Sequence, residues 1–269
     1  VMKFLMSNLN SLNLKEAIIV KGEGGGLSDG RENMGYDSNE DDEIPNYALS
    51  SKETLVSLIL PDRLKRIKGD TGGGRGAFNG CCNLTGSLII PEGVVEIQSG
   101  AFAGCKNLNG ILSLPSTLKV LGIADYCYEA VYDGPFADCG FTCELILPEG
   151  LEILGSGTFC GCRGLYGELR LPDNLKDLGT GVFNGCVNLY GSLEIPQGVT
   201  IIRTNCFNNT GLNGTLSLHD GISSIGEGAF RNTGLKGELH LPKNIEVISK
   251  ESFCGCDFSG TLVLPKTVR

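Results

Sequence analysis

The sequence predicts a repeat solenoid, in practice mostly β, with about ten stacked rungs of 23–24 residues, short parallel strands and few or no regular helices. Three observations predict it. A phenylalanine that follows a small residue and a Gly-rich turn recurs at Phe78, Phe102, Phe136, Phe159, Phe183, Phe207, Phe230 and Phe253, at intervals of 24, 34, 23, 24, 24, 23 and 23. An apolar-x-apolar-Pro motif recurs from Leu58–Pro61 to Leu262–Pro265 and holds eight of the ten prolines. Glycine supplies 40 of 269 residues without collagen triplets, and tryptophan is absent, which suits thin rungs of Leu, Ile and Val joined by turns.

One unit shows the logic of each element. Leu169-Arg170-Leu171 alternates as a half-buried strand. Pro172 lacks a backbone donor and ends it. Leu175 and Leu178 form a second inward pair, read as another extended segment, and Gly179 admits the next turn. Phe183 fills the inside of the corner. A single unit cannot bury its own apolar face, whereas stacked units cover one another. At a strand spacing of ~4.8 Å, ten rungs make a curved slab about 45–50 Å long.

Leu9-x-x-Leu12-x-Leu14-x-x-Ala17-x-Ile19 reads as a leading repeat, followed by a polar loop from Gly22 to Glu43. Residues 1–43 are therefore expected to be a capping repeat and loop, and 44–269 one continuous solenoid. Leu49 stands where later units place Phe, and Leu216-Ser217-Leu218-His219 puts His in the Pro slot. Two units carry inserts between the second inward pair and the corner, the longer one spanning Ile123 to Gly134. The chain begins at Val1 without a visible signal peptide and stops in mid-pattern after Pro265-Lys266-Thr267-Val268-Arg269. It is expected to be a piece of a longer protein.

Ile90-Pro91, Val94-Val95-Glu96-Ile97 and Ala101-Phe102-Ala103-Gly104-Cys105 match the unit of the BspA-like leucine-rich repeats, and the match recurs along 44–269. The chain resembles that family. The resemblance implies a right-handed leucine-rich-repeat solenoid of the α/β type, a surface or secreted location, adhesion or protein binding, and no catalytic residues to carry over. The chain departs from the family pattern in its two inserts, in Thr210 and Thr233 where Cys is usual, and in the Gly before most strands.

Cys81, Cys105, Cys139, Cys162, Cys186 and Cys256 stand three residues after the corner position, and their slot also accepts Thr. A ladder of small buried thiols is the expectation. Cys160-x-Cys162 and Cys254-x-Cys256 do not have zinc spacing, and alternation sends the two sulfurs apart. Cys127, inside the longer insert, is the candidate reactive thiol. His219 and His240 are too few for a triad or a histidine metal site, and both are read as surface residues. The Gly22–Gly26 and Gly72–Gly76 runs lack the Lys-Ser/Thr of a phosphate loop. Asp37-x-Asn39-x-Asp41 begins like a calcium loop but has Asp42 and Ala48 where Gly and Glu are required. Asn83-Leu84-Thr85 and Asn208-Asn209-Thr210 fit a glycosylation sequon. No metal and no cofactor are expected.

A net charge of −9 disfavours nucleic acid, and no apolar run is long enough to insert in a membrane. The remaining surface is a strip of outward strand positions: Glu144, Glu168, Arg170, Glu194, Glu238 and His240, with Ser87, Ser113, Ser192, Thr215, Ser217 and Thr261 between them. Glu144 and Glu168 on adjacent rungs imitate a glycosidase pair, but no pocket is expected around them. The longer insert adds Tyr126, Tyr128, Glu129, Tyr132 and Asp133, a tyrosine-acid cluster suited to recognition. The sequence thus reads as a monomeric, non-catalytic protein-binding or adhesion module, with carbohydrate binding as the alternative.

Overall fold

The computed structural model describes residues 8–20, 41–69, 76–123 and 133–269, and among them it has no helix. Each rung has three sides. The back side carries the most continuous ladder: Glu43–Ile44, Arg66–Ile67, Glu96–Ile97, Val120–Leu121, Ile153–Leu154 and Asp177–Leu178 form one parallel sheet. Ile201–Ile202, Ser224–Ile225 and Val247–Ile248 form a second. Inward residues of this side, such as Ile67, Ile97, Leu121, Leu154 and Leu178, are fully buried.

The front side lies before the proline and pairs rungs two at a time, also in parallel. Ser11–Asn13 pairs with Ser57–Ile59, Leu88–Ile89 with Leu112–Ser113, and Leu193–Glu194 with Leu216–Ser217. Tyr166–Glu168 pairs with Asn188–Tyr190, and Lys236–Glu238 with Asp257–Ser259. The bonded segment of the Phe183 rung is thus Tyr166–Glu168 and not the expected Leu169–Leu171. Leu169 still donates its N–H to Tyr190 O at 3.0 Å, but Pro172 has no donor with which to carry the ladder on. The second inward pair, not the first, makes the longer sheet.

The third side is the phenylalanine corner, and it is a hydrogen-bonded ladder too. Phe183 N–H donates to Cys206 O at 2.9 Å, and Gly185 N–H to Asn208 O at 2.9 Å, with the same step at neighbouring rungs. The eight corner rings form one internal stack, with centroids 5.0 to 5.8 Å apart and interplanar angles of 1° to 19°. The ring sits between two left-handed residues, as at Gly181 (φ 60°) and Gly185 (φ 80°) around Phe183. Asn205 and Asn209 take these positions around Phe207, which is why this motif is built from Gly and Asn.

The expected thiol column is present. Cys81, Cys105, Cys139, Cys162 and Cys186 are buried, and Cys256 is half-buried. Each thiol donates to the carbonyl of the rung before: Cys105 to Phe78 O at 3.3 Å, Cys162 to Phe136 O at 3.0 Å, Cys186 to Phe159 O at 3.1 Å. Thr210 and Thr233 fill the slot differently, bonding the carbonyl of their own corner residue, Phe207 at 3.0 Å and Phe230 at 2.9 Å. Cys160 packs apart from Cys162, against Ala103 and Ala137.

Candidate binding face

The two outer faces differ in how their charges are used. On the back, Arg66 bridges Glu43 at 2.8 Å and Glu96 at 3.3 Å, and Lys68 approaches the other oxygen of the buried Glu43 at 3.6 Å. Gln98 continues the chain by donating to Glu96 at 2.7 Å. Lys176 pairs with Glu152 at 2.6 Å, and this hydrogen bond holds the Glu152 carboxyl below its ordinary range. Arg203 pairs with Asp177 and donates to Leu178 O at 2.9 Å, spanning the gap between the two back sheets. Off the back strands, Lys243 holds Asp220 at 2.9 Å and Lys250 holds Glu227 at 3.0 Å, each across one rung.

By position in the repeat the front presents three rows, and the ladder itself steps between the first two, pairing Tyr166 with Glu144 and Tyr190 with Glu168. The first runs through Val56, Thr85, Asn109, Thr142, Tyr166, Tyr190, Asn213 and Lys236. The second runs through Ser57, Ser87, Ile111, Glu144, Glu168, Ser192, Thr215 and Glu238. The third runs through Ile59, Ile89, Ser113, Ile146, Arg170, Glu194, Ser217 and His240. The predicted residues Glu144, Glu168, Arg170, Glu194, Glu238 and His240 all lie here and are all exposed.

Glycine makes this face close-packed. A Cβ on Gly167 (φ 113°) would lie 2.8 Å from Glu144 Cγ, and one on Gly191 (φ 101°) 2.7 Å from Glu168 Cγ. Each glutamate stem therefore lies over the glycine of the next rung. Ser87 Oγ accepts from Ile111 N–H at 3.0 Å, and Ser192 Oγ from Thr215 N–H at 3.0 Å. The hydroxyls of the strip thus partly serve to tie rungs together. Glu168 is engaged by Arg170 at 2.7 Å, and Glu238 stands 3.5 Å from His240. Among the described residues, Glu144 and Glu194 have no ion-pair partner.

Sequence reasoning missed the apolar part of this face. Ile59, Ile89, Ile111 and Ile146 are 46%, 57%, 58% and 71% exposed on successive rungs. Tyr166 and Tyr190, about half exposed, belong to the same face and pair in the ladder with the acids, Tyr166 with Glu144 and Tyr190 with Glu168. A shallow, open depression of about 390 Å³ lies between Glu168, Arg170, Ser192, Glu194, Thr215 and Ser217, where none was expected. Its mixed acid and hydroxyl lining suits hydrogen bonding at the surface and does not enclose a substrate.

The described ends of the longer insert, Ile123 and Asp133, follow the back strand Val120–Leu121 and precede Phe136. Tyr126, Tyr128, Glu129 and Tyr132, with Cys127, lie outside the described residues, and Asp133 is half-buried. The calcium-loop start at Asp37 and Asn39 also lies outside them.

His219 corrects its reading as a surface residue. It is half-buried, its Nε2 lies 3.0 Å from both Pro196 O and Val199 O, and its Nδ1 accepts from Gly221 N–H at 3.1 Å. The imidazole replaces proline by bonding the previous rung. His240 is 82% exposed, as expected. Asn208 of one sequon is half-buried with Thr210 buried behind it, and Asn83 of the other donates to Glu53 O at 2.8 Å. Burial raises the thiols of Cys139, Cys162 and Cys186 well above their ordinary value and pushes Cys160 up to about 11, so none of them is a thiolate nucleophile or ligand near neutral pH. Among the described residues no group of three or more His, Cys, Asp or Glu side chains is arranged to hold a metal.

The rung pattern matches the BspA type leucine rich repeat region over residues 42–132 and 129–259, in six copies. The chain belongs to the BspA-type leucine-rich repeat family. Such repeat families are generally non-catalytic. A BspA-type chain of this fold is similar to a leucine-rich repeat protein from Bacteroides ovatus, with 26% identity and a TM-score of 0.61 over 88% of this chain and 53% of that one. This chain thus spans about half the length of that protein. A leucine rich cell surface protein from Faecalibacterium prausnitzii is less alike, with 18% identity and a TM-score of 0.43 over 82% of this chain and 77% of that one. No curated protein matches the chain. No helix among the described residues is long and apolar enough to cross a membrane.

Proposed function

We propose that this BspA-type chain is a non-catalytic adhesion or protein-interaction module, secreted or displayed at the cell surface, that binds another protein through its front face. One observation carries the reading: exposed Ile, Tyr and unpaired Glu side chains lie side by side on rungs that a buried core holds rigid. Single exposed apolar residues are ordinary, but a contiguous set rimmed by polar groups marks an interaction surface. Tyr166 and Tyr190 add area that is ordered at little entropic cost.

Tyr166 and Tyr190, set one rung apart beside Glu144 and Glu168, favour a second reading, carbohydrate binding. Binding of the labelled chain to whole bacterial or host cells separates the two. The protein reading predicts binding that is lost after protease treatment of the cells and kept after glycosidase treatment. Binding that resists protease and is competed by free sugar would overturn it.

A further inference from the structure

The front face is not uniform along the stack, and its division specifies a partner. From Val56 to Ser113 the three rows hold no charged residue: Val56, Ile59, Ile89 and Ile111 stand among Ser, Thr and Asn. From Glu144 to Glu194 the same rows hold three carboxylates, Glu144, Glu168 and Glu194, against one guanidinium, Arg170. Arg170 ion-pairs with Glu168 and also acts electrostatically on Glu144, so neither Glu144 nor Glu194 has an ion-pair partner of its own among the described residues. Beyond them Lys236 and His240 flank Glu238 and close the acidic stretch.

We infer that the front face takes an extended polypeptide segment of a partner protein, with apolar side chains over Ile59, Ile89 and Ile111 and Lys or Arg side chains at Glu144 and Glu194. The inference rests on the protein-binding reading above and adds the chemistry of the ligand. Charge complementarity selects the basic end, because a like charge beside two unpaired carboxylates is repelled and an opposite one is held. The apolar end has no charge with which to hold a charged ligand. Length agrees: Ile59 to Glu194 spans five rung steps, ~24 Å, which is about seven residues of extended chain. On the back face the carboxylates Glu43, Glu96, Glu152 and Asp177 each already have a cationic partner.

The test is selection of a phage-displayed library of random twelve-residue peptides on three proteins: the unaltered chain, a Glu144→Lys/Glu194→Lys variant and an Ile89→Asp/Ile111→Asp variant. All four positions are exposed, and melting curves verify that both variants fold. The expected result is enrichment of peptides joining an apolar run to two or more Lys or Arg. Synthetic copies should bind each variant at least about tenfold more weakly than the unaltered chain. Enriched peptides that depend on the isoleucines but carry no basic residues would overturn the partner chemistry and leave the front-face reading standing. Enrichment that neither variant weakens would place the site off this face and overturn both. Absence of enrichment over a protein-free control would overturn the partner chemistry.

Discussion

The front and back faces share one backbone plan, and their outward side chains behave in opposite ways. On the back, Glu43, Arg66, Lys68, Glu96 and Gln98 form a continuous chain of contacts, and Glu152, Lys176, Asp177 and Arg203 pair further along. On the front, isoleucines meet water, and Glu144 and Glu194 have no ion pair among the described residues. The difference teaches that the repeat sets where side chains stand, while pairing between rungs decides whether a face completes itself or awaits a ligand. Stability is accordingly expected to reside in the core and the back, and recognition in the front.

The largest effect that would break this division lies in the core. Phe183→Ala removes a fully buried ring from the middle of the stack and is expected to destabilise by about 3–5 kcal/mol in urea unfolding. Phe253→Ala, at a half-buried position, should lose clearly less. Equal losses at the two sites would mean that the stack does not transmit support along the rungs.

The thiol column comes next. Cys186→Ala removes a donor to Phe159 O and is expected to cost about 1–3 kcal/mol. Cys186→Thr should recover part of this, as Thr210 and Thr233 occupy the same slot with their own bonds. The column also sets an alkaline limit. Burial raises the folded-state values of Cys105, Cys139, Cys162 and Cys186 above the ordinary thiol value of 9.0. The unfolded chain therefore releases these protons first as pH rises. Stability should be full below about pH 9 and fall steadily above it, with a shallower fall in Cys186→Ala. A urea midpoint that is flat from pH 8 to 11 would contradict the buried column.

A back-face change should follow at a similar or smaller size. Arg66→Ala removes the nearer cation from the buried Glu43, leaving Lys68 at 3.6 Å, and is expected to cost about 1–3 kcal/mol in thermal or urea unfolding. Ile89→Ser on the front should change stability by no more than about 0.5 kcal/mol. Reversal of that order would erase the distinction between the faces.

Much of this was legible in the sequence because the repeat supplies its own register. The phenylalanine spacing located the internal stack, and the shared Cys and Thr slot located the column. The exposed isoleucines were missed because a run such as Leu88-Ile89-Ile90 taken alone does not say which residue faces out, although Ile89 holds the outward slot of Arg170 and Glu194. Ile89 is exposed only because Leu88 and Ile90 on either side of it are buried. The strip was therefore read as acid and hydroxyl alone. His219 was misread for a related reason: its partners, Pro196 and Val199, come from another rung and are distant in sequence. The longer back sheet was hidden because its inward pair, Leu175 and Leu178, stands three residues apart, whereas Leu169 and Leu171 show the two-residue alternation that reads as a strand.

The most direct test of the account is binding of two variants to untreated cells at matched folded fraction. One carries Ile89→Asp, Ile111→Asp, Glu144→Lys and Glu194→Lys on the front; the other carries Lys119→Ala, Lys176→Ala and Glu246→Ala on the back. Binding by the front variant is expected to fall at least about tenfold and that by the back variant to stay unchanged. Full binding by the front variant, or equal loss by both, would contradict it.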